Sequence, residues 1–138
     1  MEHGNRKERW LIYTVLVGLI PIVSRLLIWA LTKPGVVEIF SPSDFIAFGL
    51  ILHISNINEI EHADGANRRW KTIQNGISIM FIVIYSVLYP LILVGSEIID
   101  PTAVSFSLVA LSIASLIVSY SVLGNLFDPK SPSAGAKP

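Results

Sequence analysis

Three long stretches almost free of charge decide what this chain can fold into. Leu11–Leu31 carries only Arg25, and Gly76–Val94 and Ala103–Gly124 carry no charged residue at all. A helix that crosses the hydrocarbon of a bilayer needs about 20 mostly apolar residues. All three stretches meet that length, so lipid rather than water is the expected solvent for most of the chain. The 138 residues are only 14% charged, against about a quarter in an ordinary soluble domain.

A fourth segment, Phe45–Ile57, is interrupted by His53, Ser55 and Asn56. Its start carries helix-initiating chemistry: Ser41 suits an N-cap, Pro42 the first helical position, and Asp44 the third position of a capping box. Asp100-Pro101 opens the last segment in the same way. Charge decides whether the fourth segment crosses. Basic residues prefer the cytoplasmic side close to helix ends. With four crossings, Arg6, Lys7, Arg9, Arg68, Arg69, Lys71, Lys130 and Lys137 share one side, and only Lys33 lies on the other. With three, Arg68-Arg69-Trp70-Lys71 falls on the wrong side. The expectation is an all-α polytopic membrane protein with four transmembrane helices and both termini cytoplasmic. Its spans are placed at about 10–31, 42–58, 73–94 and 102–124. Residues 1–9 form a cytoplasmic tail, 59–72 a polar helical hairpin and 127–138 a flexible tail. Trp10, Trp29 and Trp70 fall near the interfaces, where indole rings prefer to sit. A cleaved signal peptide is the rival reading of the first segment. Its apolar run is long for one, and Leu31-Thr32-Lys33-Pro34 is a poor cleavage site.

The polar residues at membrane depth are Arg25, Asp44, His53, Tyr85 and Ser112. Counted from Trp10, Arg25 lies about 22 Å up the first helix, close to the level at which Asp44 begins the second. An ion pair is the expected arrangement, with Glu38 as the other candidate partner. The alternative is an Arg25 that snorkels to headgroups while Asp44 only caps its helix. His53 falls near mid-membrane, level with Tyr85 and Ser112. Imidazole there relays protons, or it simply hydrogen-bonds a hydroxyl on a neighbouring helix; the second reading is favoured. In the last segment, Ala110-xxx-Ala114 and Ser115-xxx-Ser119 are small-residue spacings that let helix backbones approach. Its serines are therefore assigned to packing, with a polar pore lining as the alternative.

The hairpin is acidic on its first arm (Glu59, Glu61) and basic on its second (Arg68, Arg69, Lys71). It is expected to dock a cytoplasmic protein or to act as a solvated connector whose arginines bind headgroups. Glu59-Ile-Glu-His62 has one carboxylate–imidazole spacing, but a dinuclear carboxylate site uses two such motifs, so no metal and no cofactor are expected. Zero cysteines exclude disulfides and thiolate sites. Lys+Arg and Asp+Glu number 10 each, which excludes nucleic-acid binding driven by net charge. No nucleotide-binding or hydrolase motif occurs, and no enzymatic activity is expected.

Four spans in a chain this short resemble the small multidrug exporters, but their hallmark acid in helix one is replaced here by Arg25. The membrane glutathione-transferase-like family shares the span count, without its signature in Asn56–Arg69. In architecture the chain resembles the compact four-helix membrane subunits of bacterial anti-phage defence systems, such as the KwaA component of Kiwa. That resemblance implies a membrane sensor in the bacterial inner membrane. Such a subunit would form homo-oligomers in the lipid bilayer and anchor or regulate a cytoplasmic partner. The competing expectations are a small ion or solute transporter or channel, and a membrane-disrupting effector.

Overall fold

The computed structural model describes residues 2–95 and 97–127, with side chains for 8–95 and 97–126. The chain forms four helices in the order α1 (Glu2–Leu31), α2 (Pro42–Glu61), α3 (Arg68–Val94) and α4 (Pro101–Phe127). Helix α1 starts well before Trp10, so residues expected to form a tail have helical backbone; Arg, Lys and Glu are good helix formers. Residues 128–138, most of the expected C-terminal tail, lie outside the described residues. Helices α1, α3 and α4 are each long and apolar enough to cross a membrane. Pro21 and Pro90 sit inside α1 and α3 without ending them.

Side-chain chemistry sets the helix starts. Asn67 caps α3 by accepting the Arg69 amide at 2.9 Å, and Asp100 caps α4 by accepting the Thr102 amide at 2.9 Å. The capping box expected at α2 does not form. Ser41 holds the extended N-cap conformation and Pro42 opens the helix, but the Ser41 hydroxyl pairs with Ser43 Oγ at 2.8 Å and caps no amide. The Asp44 carboxylate is drawn instead to Arg25. Between α2 and α3, Gly65 takes the left-handed conformation (φ 78°), which a residue without Cβ adopts freely and which reverses the chain after Asp64.

Paired side chains define the helix directions. Thr14 meets Ser55 and Arg25 meets Asp44, so an eleven-residue advance along α1 matches an eleven-residue retreat along α2. The two helices are antiparallel and in register over about 16 Å. His53 stacks on Phe81 and Glu61 meets Asn75, which makes α3 antiparallel to α2 as well. His53 meets Ser115 and Asn56 meets Ser119, so α4 runs parallel to α2.

Helix α2 packs against all three others and is the most buried element. Its buried residues are Ile46, Phe48, Gly49, Leu52, His53, Asn56 and Ile60. Helices α1 and α3 instead present broad apolar surfaces, including Leu16, Ile20 and Leu27 on α1 and Ile79, Val83 and Val87 on α3. That outward apolar face is what a lipid solvent requires. An apolar cluster of Ile46, Tyr85 and Leu108, flanked by Leu88, Ile92 and Val104, fills the end of the bundle near the start of α2. Toward the opposite end the interior holds His53, Asn56, Ser115 and Ser119, and beyond them the buried apolar Ile60, Val122 and Leu123.

Gly49 makes the α2–α3 approach possible. A Cβ there would overlap the Tyr85 ring. Gly76, in the same α3 helix as Tyr85, faces open space. Gly49→Ala is therefore expected to destabilise the protein by about 1–3 kcal/mol through overpacking. Gly76→Ala should be neutral or stabilising by up to about 1 kcal/mol, from helix propensity alone. Unfolding in detergent followed by helical circular dichroism distinguishes the two outcomes.

Candidate functional site: a buried polar seam and a charged turn

Two groups of polar residues stand out: one buried between α2, α3 and α4, the other at the α2–α3 turn. The buried group centres on Ser115. Its hydroxyl donates to the Leu111 carbonyl one turn back at 2.8 Å. His53 Nε2 and the Tyr85 hydroxyl each lie 2.9 Å from the same oxygen. A serine hydroxyl has one hydrogen and two lone pairs. With the hydrogen given to Leu111, both neighbours donate to Ser115. This assignment gives His53 the neutral Nε2–H tautomer and leaves Nδ1 as a bare acceptor. The imidazole face is covered by Phe81, stacked at a centroid distance of 4.5 Å.

One turn along, the Asn56 amide donates to Ser119 Oγ at 2.8 Å. His53, Asn56, Ser78, Tyr85 and Ser115 all have no exposed surface. Among the described residues, four buried polar atoms here have no hydrogen-bond partner: His53 Nδ1, Asn56 Oδ1, Asn75 Oδ1 and Ser78 Oγ.

The expected His53–hydroxyl bond is therefore present, with Ser115 rather than Ser112 as its partner. Ser112 is buried beside the Tyr85 hydroxyl. Ser115 and Ser119 do lie at the helix interface, but as hydrogen-bond partners as well as small residues. Ala110 is exposed, on the far side of α4 from the buried stripe Leu108, Ser112, Ser115, Ser119, Val122 and Leu123, and packs against no helix of the same chain. Ala114 is half-buried. Ser86 and Ser107 face outward and return their hydroxyls to their own helices, at Ile82 O and Ala103 O. Serine count alone is thus no sign of a pore. Asn56 was the residue missed as part of the site. Its signal was its spacing: three residues after His53, facing a serine pair four apart.

At the other end of α2, Arg25 Nε donates to Asp44 Oδ2 in a part-buried ion pair. Glu38, the other candidate partner, is exposed.

The α2–α3 turn carries the second group. Glu61, Arg68 and Arg69 are exposed, and Glu59 and Lys71 are half-buried. The two arms are tied together: Lys71 Nζ donates to the Glu61 carbonyl at 3.4 Å, and Asn75 Nδ2 to Glu61 Oε1 at 2.6 Å. His62 Nδ1 donates to the Asn58 carbonyl at 2.8 Å. No group of three His, Cys, Asp or Glu side chains is placed to hold a metal among the described residues.

Compared with protein-family models, with curated proteins and with solved structures, the chain has no match in any of the three.

Two measurements check this geometry. In a double-mutant cycle of Arg25→Ala and Asp44→Ala, unfolding in detergent should give a coupling of about 0.5–3 kcal/mol, as contacting partners do; strict additivity contradicts the pair. Ser115→Ala strands two buried donors and Ser119→Ala only one. Interhelical hydrogen bonds in membranes average about 0.6 kcal/mol, with a maximum near 1.7. Ser115→Ala should therefore cost about twice as much as Ser119→Ala, and equal losses would refute the shared acceptor.

Proposed function

We infer that this chain is a four-span integral membrane subunit whose α2–α3 turn docks a soluble partner on the cytoplasmic side. Three helices have the length and apolarity to cross a membrane. Helices α1 and α3 run in the same direction, so the chain between them has to return across the bilayer. Helix α2 is the segment available for that return. Its residues 42–58 span about 25 Å, close to the ~30 Å of the hydrocarbon. Its Asp44, His53, Ser55 and Asn56 face neighbouring helices, the arrangement that lets polar residues persist at membrane depth. Basic residues near the α2–α3 turn and the N-terminus support a cytoplasmic location for that end.

The observation that carries the docking role is the turn itself. Glu61 ties its arms together, while Arg68 and Arg69 remain exposed beside it. A shaped, charge-divided projection at the end of a lipid-facing bundle suits recognition of a protein with complementary charge. In this reading the protein resides in a bacterial inner membrane and oligomerises through its helices. It reports membrane perturbation to a cytoplasmic effector, as the architectural resemblance to defence-system subunits suggests. The chemistry invoked is association, with no catalytic step.

Site-specific photocrosslinking in cells tests the role. A benzophenone amino acid at Asp64, exposed in the turn, should yield a discrete protein adduct that Arg68→Glu/Arg69→Glu abolishes. The same probe at Ile117, 65% exposed on α4, should not give that adduct. Only lipid adducts at position 64 would assign the arginines to headgroups and overturn the docking reading.

A further inference from the structure

We propose that the loop between α1 and α2 is seated in lipid, with Val36 and Ile39 inserted at the headgroup boundary of the leaflet opposite the α2–α3 turn. Residues 32–41 connect two helices that end at different heights. Arg25 and Asp44 meet at one level. From there α1 runs on to Leu31, whereas α2 begins just before Asp44, at Pro42. At about 1.5 Å per residue, α2 therefore starts about 6 Å short of the end of α1. The other neighbours overtop it too. Counted from the His53–Phe81 stack, α3 ends about 3 Å above the start of α2, and counted from the His53–Ser115 bond, α4 begins about 4–5 Å above it. The end of α1 lies about 31 Å up from Trp10, at the edge of a hydrocarbon layer about 30 Å thick. The loop thus leaves α1 at the membrane boundary and joins α2 below it.

Local chemistry shapes the loop. Lys33-Pro34-Gly35-Val36 forms a tight turn: the Val36 amide donates to the Lys33 carbonyl at 3.2 Å, Pro34 takes the first central position, and Gly35 supplies the positive φ (87°) of the second. At its far end Phe40 stacks on Phe45 of α2 at a centroid distance of 4.6 Å. Val37 and Phe40 are half-buried, whereas Val36 is 68% and Ile39 53% exposed. Those two extend the run of exposed apolar residues Leu27, Ile28 and Leu31 at the end of α1. The occupant is lipid because this surface continues the one α1 turns to the bilayer, at the level where hydrocarbon gives way to headgroups. Both charged residues of the loop, Lys33 and Glu38, are exposed and opposite in sign. A zwitterionic headgroup layer offers a partner to each, while the acyl boundary accepts valine and isoleucine, as it does the apolar face of other interfacial segments. Through Phe40 on Phe45 the loop ties the first turn of α2 to this leaflet, and α2 connects that attachment to the turn at its other end. The inference rests on the four-span reading, and it stands whether or not the turn docks a partner.

Spin labels in the full chain test the placement. Because the chain contains no cysteine, Val36→Cys, Glu38→Cys, Ile39→Cys, Ile20→Cys and Asp64→Cys each carry a single nitroxide. In phosphatidylcholine liposomes, power-saturation EPR compares collisions with oxygen, which concentrates in lipid, and with nickel-EDDA, which stays in water. Ile20, 56% exposed midway along α1, is the lipid reference, and exposed Asp64 is the water reference. The oxygen-to-nickel ratio at positions 36 and 39 should lie several-fold above that at 38 and 64, and below that at 20. The label is the same at every position, so a difference between 36 and 38 reports how the loop sits. Equal ratios at 36, 38 and 39, with position 20 in lipid, overturn the loop proposal and leave the four spans standing. A water-like ratio at position 20 overturns both. Protection of 36 and 39 from both reagents assigns the surface to a protein contact, such as a second copy of the chain, and also overturns the proposal.

Discussion

Helix α2 carries histidine and asparagine in its interior turns, and the arrangement of this protein follows from enclosing those two side chains. In water the apolar residues of a chain seek each other. In lipid that drive vanishes between helices, and polar groups become what must be hidden. Helix α2 hides them by taking the centre. Helix α1 covers one side, with Thr14 on Ser55 and Arg25 on Asp44. Helix α3 brings Phe81 and Tyr85, and α4 brings its serines. Helices α1 and α3 can then present broad apolar faces, because His53 and Asn56 are fully enclosed.

Two kinds of contact divide the work inside the bundle. Near the start of α2, close packing dominates: Gly49 admits the Tyr85 ring, and Gly18 admits Phe48, whose Cδ2 would lie 2.9 Å from a Cβ at that position. Toward the other end, hydrogen bonds dominate, and they are directional. Ser115 accepts from two helices at once, which fixes the rotation of α4 relative to both. A stripe of small residues without such bonds sets how closely helices approach but leaves their rotation and axial register less defined. The bonds to Ser115 and Ser119 supply that definition with modest energy.

Much of this was legible in the chain. The charge-poor stretches gave the long helices, and Asp100-Pro101 gave the start of α4. Depth counting along α1 and α2 brought Arg25 and Asp44 to one level, where they pair. The same counting placed His53 level with Ser112, although its bond goes to Ser115. Rise per residue gives height along an axis but not rotation about it, and rotation decides which of two serines one turn apart is reached. Ala110, in the other small-residue pair, lies on the exposed face of α4. Several small-residue stripes run along α4, and spacing alone does not tell which faces inward. The N-terminal helix was missed because charged residues outside a membrane still form good helix when they continue an existing one.

The central position of α2 has a consequence for how the protein is made. The chain emerges from the ribosome in order, so α2 is synthesised before α3 and α4, which supply the partners of His53 and Asn56. Until they are made, only α1 is available to cover α2. The Arg25–Asp44 and Thr14–Ser55 contacts bind this first hairpin while it waits. The hairpin of α1 and α2 can therefore close first, and the hydrogen bonds of His53 and Asn56 only once the last helix has been made.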